Sequence, residues 1–164
     1  MGRPDQSPQA SLAILVLSGD MEKGLAACNL ALAAAATGSR VTLFFSFWGL
    51  DFLKIPGGKP TGSFLQRLLG GLNRDDAGRQ RMGRLHLMGA GRWAMGRLMR
   101  RRGVPTVVQG LRSAHAMGAR LVACSTTLDL MGLSRESLIP EVDDVAGAAT
   151  FLEEARGAVV VTLS

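Results

Sequence analysis

Apolar runs alternate with polar, glycine-bounded turns along this chain, and the pattern predicts alternating strands and helices. Leu12–Leu17 is wholly apolar and ends at Ser18–Asp20, as is typical of a strand buried on both faces of a parallel sheet. Asp20 can cap the helix that follows, and Gly38 ends it. The apolar face of that helix has three- and four-residue spacing and consists of Met21, Leu25, Cys28, Leu32 and Ala35.

A second strand is predicted over Arg40–Ser46, after which the regular pattern is lost. Residues 52–103 are rich in Gly, Met and Arg and are predicted to form an insertion, with short helices at Leu65–Leu72 and Trp93–Arg102. Residues 1–11 are predicted to be a disordered lead without the apolar core of a signal peptide. The rest of the chain, residues 12–164, is interpreted as a single domain.

Regular structure resumes at Pro105 with a helix whose apolar face contains Val107, Leu111, Ala114 and Met117 and which ends at Gly118. Further elements are predicted from short apolar runs. They are a strand at Arg120–Ala123, helical turns at Leu128–Leu133 and Ser134–Leu138, a weak strand at Glu141–Val142, a helix at Ala146–Arg156 and a strand at Ala158–Leu163.

Strands that alternate with helices predict an α/β fold, a three-layer α/β/α sandwich around a parallel sheet of about five strands. Ligands of such sheets bind beyond the carboxyl ends of the strands. Three strand ends are expected to meet at that edge: Ser18–Asp20, Ser46–Gly49 and Cys124–Thr126. The edge is therefore the predicted functional site.

Cys124 is the candidate nucleophile because it lies in a strand-to-helix turn. Free N–H groups and the positive end of a helix favour thiolate over thiol at such a position. Thr126 is interpreted as the helix N-cap, with Asp129 three residues later, and Ser125 lies beside the sulfur. The alternative is a buried cysteine that acts only as a small apolar residue.

The second cysteine, Cys28, shares a helical face with Leu25 and Leu32, so core packing is the favoured interpretation. The functional alternative is a second carrier or resolving thiol. Two cysteines make no disulfide framework, and free thiols in a reducing, cytoplasmic compartment are expected. His86 and His115 have no partners at metal-ligand spacing, so no metal site is predicted.

The charge of the chain is unevenly distributed. Its formal net charge is +6, and residues 54–102 hold 12 of the 19 basic residues but only two of the 13 acidic ones. A solvated face is the default interpretation of this basic segment, a docking surface for an acidic partner is second, and nucleic acid is third because aromatic residues are scarce there. The glycines lack the order of phosphate-binding loops, so no nucleotide or other cofactor is predicted. No apolar run is long enough for a membrane span.

Phe47 and Trp48 extend an apolar cluster that begins at Phe44. Trp48 can pack against the edge of the sheet, wall a pocket above the sulfur, or form an interface between subunits. The last two are favoured because one strand cannot bury so many aromatic rings.

Three segments carry a resemblance to a known family. They are Ile14–Asp20, Phe44–Leu50 with its Phe-Phe-x-Phe-Trp-Gly pattern, and Ala123–Gly132 with Ala-Cys-x-x-x-x-Asp-x-Met-Gly. Together they resemble the DsrE-like sulfurtransferases, in particular the second DsrE subgroup, related to the DsrE, DsrF, DsrH and TusD proteins. The likeness extends through Met95–Gly103 to Gly147–Leu152.

The resemblance implies a sulfur carrier in an oligomeric α/β protein. By matching position, Cys124 would hold sulfane sulfur as a persulfide and pass it to a partner, with TusA-like carriers or rhodaneses as the implied partners and a homo-oligomer as the implied assembly. The alternative is a non-catalytic scaffold subunit of a sulfur-relay complex, since some members of the family lack a working cysteine.

Overall fold

A computed structural model describes residues 11–55 and 105–164, which form a five-stranded parallel sheet with helices on both faces. The strands are β1 (Ser11–Val16), β2 (Arg40–Phe45), β3 (Arg120–Cys124), β4 (Asp144–Ala146) and β5 (Val159–Leu163). Their order across the sheet is β4-β3-β2-β1-β5. The predicted α/β fold with about five parallel strands is confirmed.

Four α-helices and two 3₁₀ helices connect these strands within the described ranges. The α-helices are α1 (Met21–Ala36), α2 (Val107–Ala116), α3 (Ser125–Met131) and α4 (Ala148–Glu154). The 3₁₀ helices are Phe47–Leu53 and Arg135–Ser137. The start of α2 is fixed by a capping box in which Thr106 and Gln109 satisfy each other's backbone N–H groups.

The larger part of the core lies between one face of the sheet and helices α1 and α2. The two helices approach closely because Gly110 has no side chain: a Cβ atom there would lie 2.8 Å from the Cys28 sulfur. The buried face of α1 consists of its small residues, Gly24, Ala27, Cys28 and Ala31, with the longer side chains at the margins. Cys28 is thus a core residue, as the favoured sequence interpretation had it.

The opposite face of the sheet is covered by α4. Phe151 of α4 packs against Phe44 of β2 with ring centroids 5.1 Å apart, and Ala13 and Val122 also belong to this smaller cluster. Cys124 belongs to the same cluster, so its side chain lies on the α4 side of the sheet.

Several predicted boundaries differ from the structure. The weak strand is Asp144–Ala146 rather than Glu141–Val142, because Asp143 is held at β3 by hydrogen bonds of its N–H and carboxylate with Leu121. Met117 follows the last residue of α2 and is half-exposed, so it is not part of the buried face. Ser11 belongs to β1 and not to the preceding lead.

The predicted insertion, at about residues 52–103, has only its first residues in the described part of the chain. Phe52 and Leu53 are fully buried within the first 3₁₀ helix and form part of the main core. The rest of the predicted insertion, with both of its helical pieces, lies outside the described residues. None of the helices in the described ranges is long and apolar enough to cross a membrane.

Candidate functional site

The register of the sheet places Ser46 beside Cys124. Phe45 of β2 is the partner of Ala123 in β3, so the next residues, Ser46 and Cys124, are neighbours at the carboxyl ends of the two strands. Ser46 remains extended, with φ −136° and ψ 162°, and therefore points to the same face as Phe44 and Cys124. The polypeptide thus brings a hydroxyl group and a thiol together at the predicted edge.

Cys124 is both the last residue of β3 and the N-cap of α3. It stands where Ser, Thr, Asp or Asn usually stands, and the N–H groups of the first turn of α3 have no partner within the helix. The predicted N-cap, Thr126, is instead an exposed second residue of α3, because the helix begins at Ser125, two residues earlier than that prediction required. The thiol makes no directional cap hydrogen bond.

The surroundings of Cys124 nonetheless favour its anionic form. Burial acts to raise the pKa of the thiol, since the residue is only 7% exposed. The nearby hydroxyl and N–H group of Thr127, the Ser46 hydroxyl and the Thr126 N–H group stabilise the thiolate and together outweigh burial. The pKa of Cys124 is therefore lower than its ordinary value, and a lower pKa increases the thiolate fraction near neutral pH.

Thr127, the third residue of α3, forms the polar floor of the site with Ser46. Its Oγ1 atom lies 2.9 Å from the Ser46 Oγ atom and accepts a hydrogen bond of 3.3 Å from the Phe47 N–H group. Phe47 has a φ of +47°, a left-handed conformation that is strained for a side chain of this size. The strained turn directs its N–H group at Thr127.

The ends of β1 and β2 also meet at this edge, through two close approaches of glycine. A Cβ atom on Gly19 would lie 2.9 Å from the Trp48 carbonyl oxygen, and Gly49 lies against the backbone of Val16. Ser18 stabilises the turn at β1, where its hydroxyl accepts a hydrogen bond of 3.1 Å from the Asp20 N–H group. The predicted groups Ser18–Asp20 and Phe47–Gly49 are therefore adjacent.

The acidic residues of the predicted site do not cap their helices through their side chains. Asp20 occupies the N-cap position of α1, but its carboxylate makes no cap hydrogen bond. Asp129 lies inside α3 and is exposed, so it is not the third residue of a capping box there. Ser125 is half-buried, and its hydroxyl is the nearest group to the position that a Cβ atom on Gly147 would occupy.

The other predicted candidates lie away from the sulfur. His115 Nε2 is 3.0 Å from one carboxylate oxygen of Asp143, and the other oxygen accepts a hydrogen bond from the Leu121 N–H near the start of β3, at the opposite edge of the sheet. His86 lies outside the described residues. Burial raises the pKa of Cys28 to about 12, so this thiol is protonated at neutral pH. Within residues 11–55 and 105–164, no three His, Cys, Asp or Glu side chains are grouped to hold a metal ion.

Sequence reasoning assigned no role to Thr127 and noted Ser46 only as part of a strand end. Once α3 is known to start directly after Cys124, Thr127 becomes its third residue, where a side chain reaches back toward the N-cap. The missing information was therefore the first residue of α3, which periodicity alone does not define to better than a few residues.

With this geometry in place, comparison with known proteins assigns the family. The profile of the DsrE/DsrF/DrsH-like family matches residues 8–162. The chain belongs to this family. The assignment confirms the resemblance seen in the sequence motifs.

Two curated relatives align with nearly the whole of this DsrE-like chain. The Uncharacterized protein YrkE of Bacillus subtilis is 34% identical over 147 residues, which cover 87% of this chain and 89% of YrkE. The Sulfur carrier protein DsrE2 of Allochromatium vinosum is 29% identical over 150 residues, which cover 88% and 92% of the two chains.

One solved structure supports the fold. MTH1491 of Methanobacterium thermoautotrophicum, described as a protein of unknown function, superimposes on the DsrE-like chain with a TM-score of 0.56. The match covers 94% of this chain and 99% of MTH1491 at 14% sequence identity. At this identity the likeness concerns the fold alone.

Proposed function

We propose that this protein is a sulfur carrier in which the Cys124 thiolate accepts sulfane sulfur, holds it as a persulfide and passes it to a partner protein. The observation that carries the proposal is the position of a largely buried thiol at the start of α3, beside Ser46 and Thr127, whose polar groups lower its pKa. Membership in the DsrE-like family and similarity to a relative named as a sulfur carrier support it.

The transfer step is an exchange at sulfur. The Cys124 thiolate attacks the outer sulfur of a donor persulfide, a new S–S bond forms, and the S–S bond of the donor breaks. The electron pair of the broken bond stays on the donor sulfur, which leaves as a thiolate. No external oxidant or reductant is required, because one sulfur atom moves with its oxidation state unchanged. Delivery to the acceptor is the same exchange, with Cys124 as the leaving thiolate.

The surroundings of Cys124 suit a persulfide as well as a thiolate. The outer sulfur of a persulfide lies about 2.05 Å beyond the Cys124 sulfur and carries the negative charge. Apolar walls formed by Phe44, Val122 and Phe151 limit the access of water and small oxidants. Hydroxyl and N–H donors lie on the Ser46 and Thr127 side. The site therefore combines charge stabilisation with protection.

A non-catalytic scaffold is the second candidate, and one observation favours it. Cys124 is 7% exposed, whereas a carrier sulfur must be touched by its donor. In the carrier proposal, donor docking opens the wall around the sulfur by a local movement of side chains. In the scaffold proposal, the Cys124 sulfur stays inaccessible to donors, and the protein acts only by binding partners on its surface.

Partner contacts are proposed at the carboxyl edge of the sheet. Phe47 and Trp48 are 53% and 50% exposed beside the site, and large exposed aromatic rings are typical of protein interfaces. A TusA-like or rhodanese-like protein is the proposed partner, and a cytoplasmic homo-oligomer is the proposed form of this chain. Replacing Trp48 by Ala is expected to slow delivery to the partner without changing the pKa of Cys124.

Sulfur loading tests the carrier against the scaffold. The protein is incubated with polysulfide, or with thiosulfate and a rhodanese, and is then alkylated. Mass spectrometry measures the mass of the alkylated protein. The carrier predicts an added sulfur atom that is lost in Cys124→Ser and retained in the matched control Cys28→Ser. If no donor loads the wild-type protein, or if loading survives Cys124→Ser, the carrier proposal is wrong.

A further inference from the structure

The buried polar side chains of the described residues are few and are concentrated at the sulfur. They are Ser46, Asp51 and Thr127. Ser46 and Thr127 are 6% and 3% exposed. Ser46 neighbours Cys124 across the ends of β2 and β3, and Thr127 is the third residue of the helix that Cys124 begins. A hydroxyl group buried without a hydrogen bond costs about 1–3 kcal/mol, so this pair must satisfy itself locally.

Counting protons limits how the pair can be arranged. The two hydroxyl oxygens lie 2.9 Å apart, so one of their two protons lies between them, whichever residue donates it. If Ser46 donates, Thr127 Oγ1 accepts from both Ser46 and the Phe47 N–H group, and the Thr127 proton is left for the sulfur. If Thr127 donates, the Ser46 proton is left. Either orientation leaves one O–H proton outside the pair, and both hydroxyls are close enough to lower the pKa of Cys124.

We propose that Ser46 and Thr127 form a reversible hydroxyl pair that always presents one O–H donor to the Cys124 sulfur, from either residue. The inference rests on the proposed function only in treating Cys124 as the working thiol. The pair positions a hydrogen-bond donor at the sulfur in two states. In one orientation a hydroxyl donates to the Cys124 thiolate, and in the other a hydroxyl donates to the persulfide, whose negative charge lies on its outer sulfur.

The two residues must then replace each other as donors. When Ser46→Ala removes one hydroxyl, the Thr127 proton is free to bind the sulfur, and Thr127 Oγ1 keeps its bond from Phe47. When Thr127→Val removes the other hydroxyl, Ser46 loses its partner and donates to the sulfur instead. Only the double substitution leaves the sulfur with no hydroxyl donor.

A double-mutant cycle on the thiolate tests this proposal in the full-length protein. The fraction of thiolate is measured against pH by its ultraviolet absorbance and by the rate of alkylation, in wild type, Ser46→Ala, Thr127→Val and the double variant. Thr127→Ser, which keeps the hydroxyl and loses a methyl group, is the matched control. Cys28 does not interfere near neutral pH, because its pKa is about 12.

The expected result is a marked departure from additivity. The double variant loses about tenfold in thiolate fraction below its midpoint pH, since a hydrogen bond to a charged group is lost. Each single substitution lowers the logarithm of the thiolate fraction by less than half as much as the double substitution does. Thr127→Ser behaves like wild type. Additive effects, no effect in the double variant, or one single substitution as damaging as the double would overturn the proposal.

Folding is checked by circular dichroism before each titration. If the double variant with Val does not fold, Ser46→Ala with Thr127→Ala removes the same hydroxyls with less bulk and completes the cycle. The sulfur-loading experiment is independent: a wild-type protein that never loads sulfur yet shows the cycle would refute the carrier function and leave the hydroxyl pair intact.

Discussion

Gly49 provides a test of how the carboxyl edge is assembled. A Cβ atom there would lie 2.9 Å from the carbonyl carbon of Val16, and closer still to its oxygen, where ordinary contacts begin at 3.4 Å. Gly49→Ala therefore forces the backbones at least 0.5 Å apart. The hydrogen bonds from Gly49 N to Leu17 O, 3.1 Å, and from Ser46 N to Val16 O, 3.0 Å, lie in the path of this movement.

The expected cost of Gly49→Ala is about 2–4 kcal/mol of unfolding free energy, from overpacking and weakened hydrogen bonds. Urea denaturation followed by circular dichroism measures it. Gly147→Ala is the matched control: Gly147 has a φ of −86°, and a Cβ atom there meets only the Ser125 hydroxyl at 4.0 Å. Its expected effect is within about 1 kcal/mol.

The same substitution has an expected chemical effect. Ser46 and the Phe47 N–H group, which both bind Thr127, lie on the segment that must move. Gly49→Ala therefore disturbs both hydroxyls and reduces the thiolate fraction of Cys124 near neutral pH, and Gly147→Ala does not. Equal stabilities for the two variants would refute the argument that backbone contact between Gly49 and Val16 holds the edge together.

Three further predictions concern Cys28, two threonines and Phe151. Unfolding free energy is expected to fall as pH rises above about 9, by at most about 1.4 kcal/mol per pH unit, because Cys28 stays protonated in the folded protein up to about pH 12 while the unfolded thiol ionises. Urea denaturation of wild type and Cys28→Ala at several pH values measures this dependence. Identical slopes of unfolding free energy against pH in the two proteins would contradict the prediction. Thr106→Ala removes the cap of α2 and costs about 1 kcal/mol by thermal melting, whereas Thr126→Ala, at an exposed position, changes stability by less than about 0.5 kcal/mol. Phe151→Ala costs about 3 kcal/mol and speeds alkylation of Cys124, since it removes a wall of the site; an unchanged rate would show that donors approach from another side.

The strand pattern could be predicted because each strand is a short apolar run bounded by turn residues. β1, β2, β3 and β5 were identified this way, and their alternation with helices implied the parallel sheet. β4 was misplaced because it has three residues, all half-buried, and begins with Asp144. Its position is set by contacts of Asp143 with Leu121 in β3, and such contacts are absent from local periodicity.

The site was predicted at the level of the edge but not of its atoms. The pattern of strand ends predicted that Cys124 lies at the carboxyl edge of the sheet. The side chain of Thr127, and not that of Thr126, lies at the sulfur because α3 begins at Ser125, and the sequence pattern did not predict this start. Cys28 illustrates the converse case. Its neighbours on the helical face predicted core packing, and the close approach of Gly110 explains why that position takes a side chain no larger than cysteine.

The sheet order has a consequence for synthesis of the protein on the ribosome. β1 contains the first described residues and lies between β2 and β5, and β5 is completed only at Leu163. Leu17 and Ser18, which adjoin the site, donate their N–H groups to the Leu163 carbonyl oxygen. A nascent chain therefore keeps one side of β1 unpaired until β5 has been synthesised, and a variant that lacks Val159–Leu163 is expected to lose an edge strand and the anchor of the Ser18 turn together.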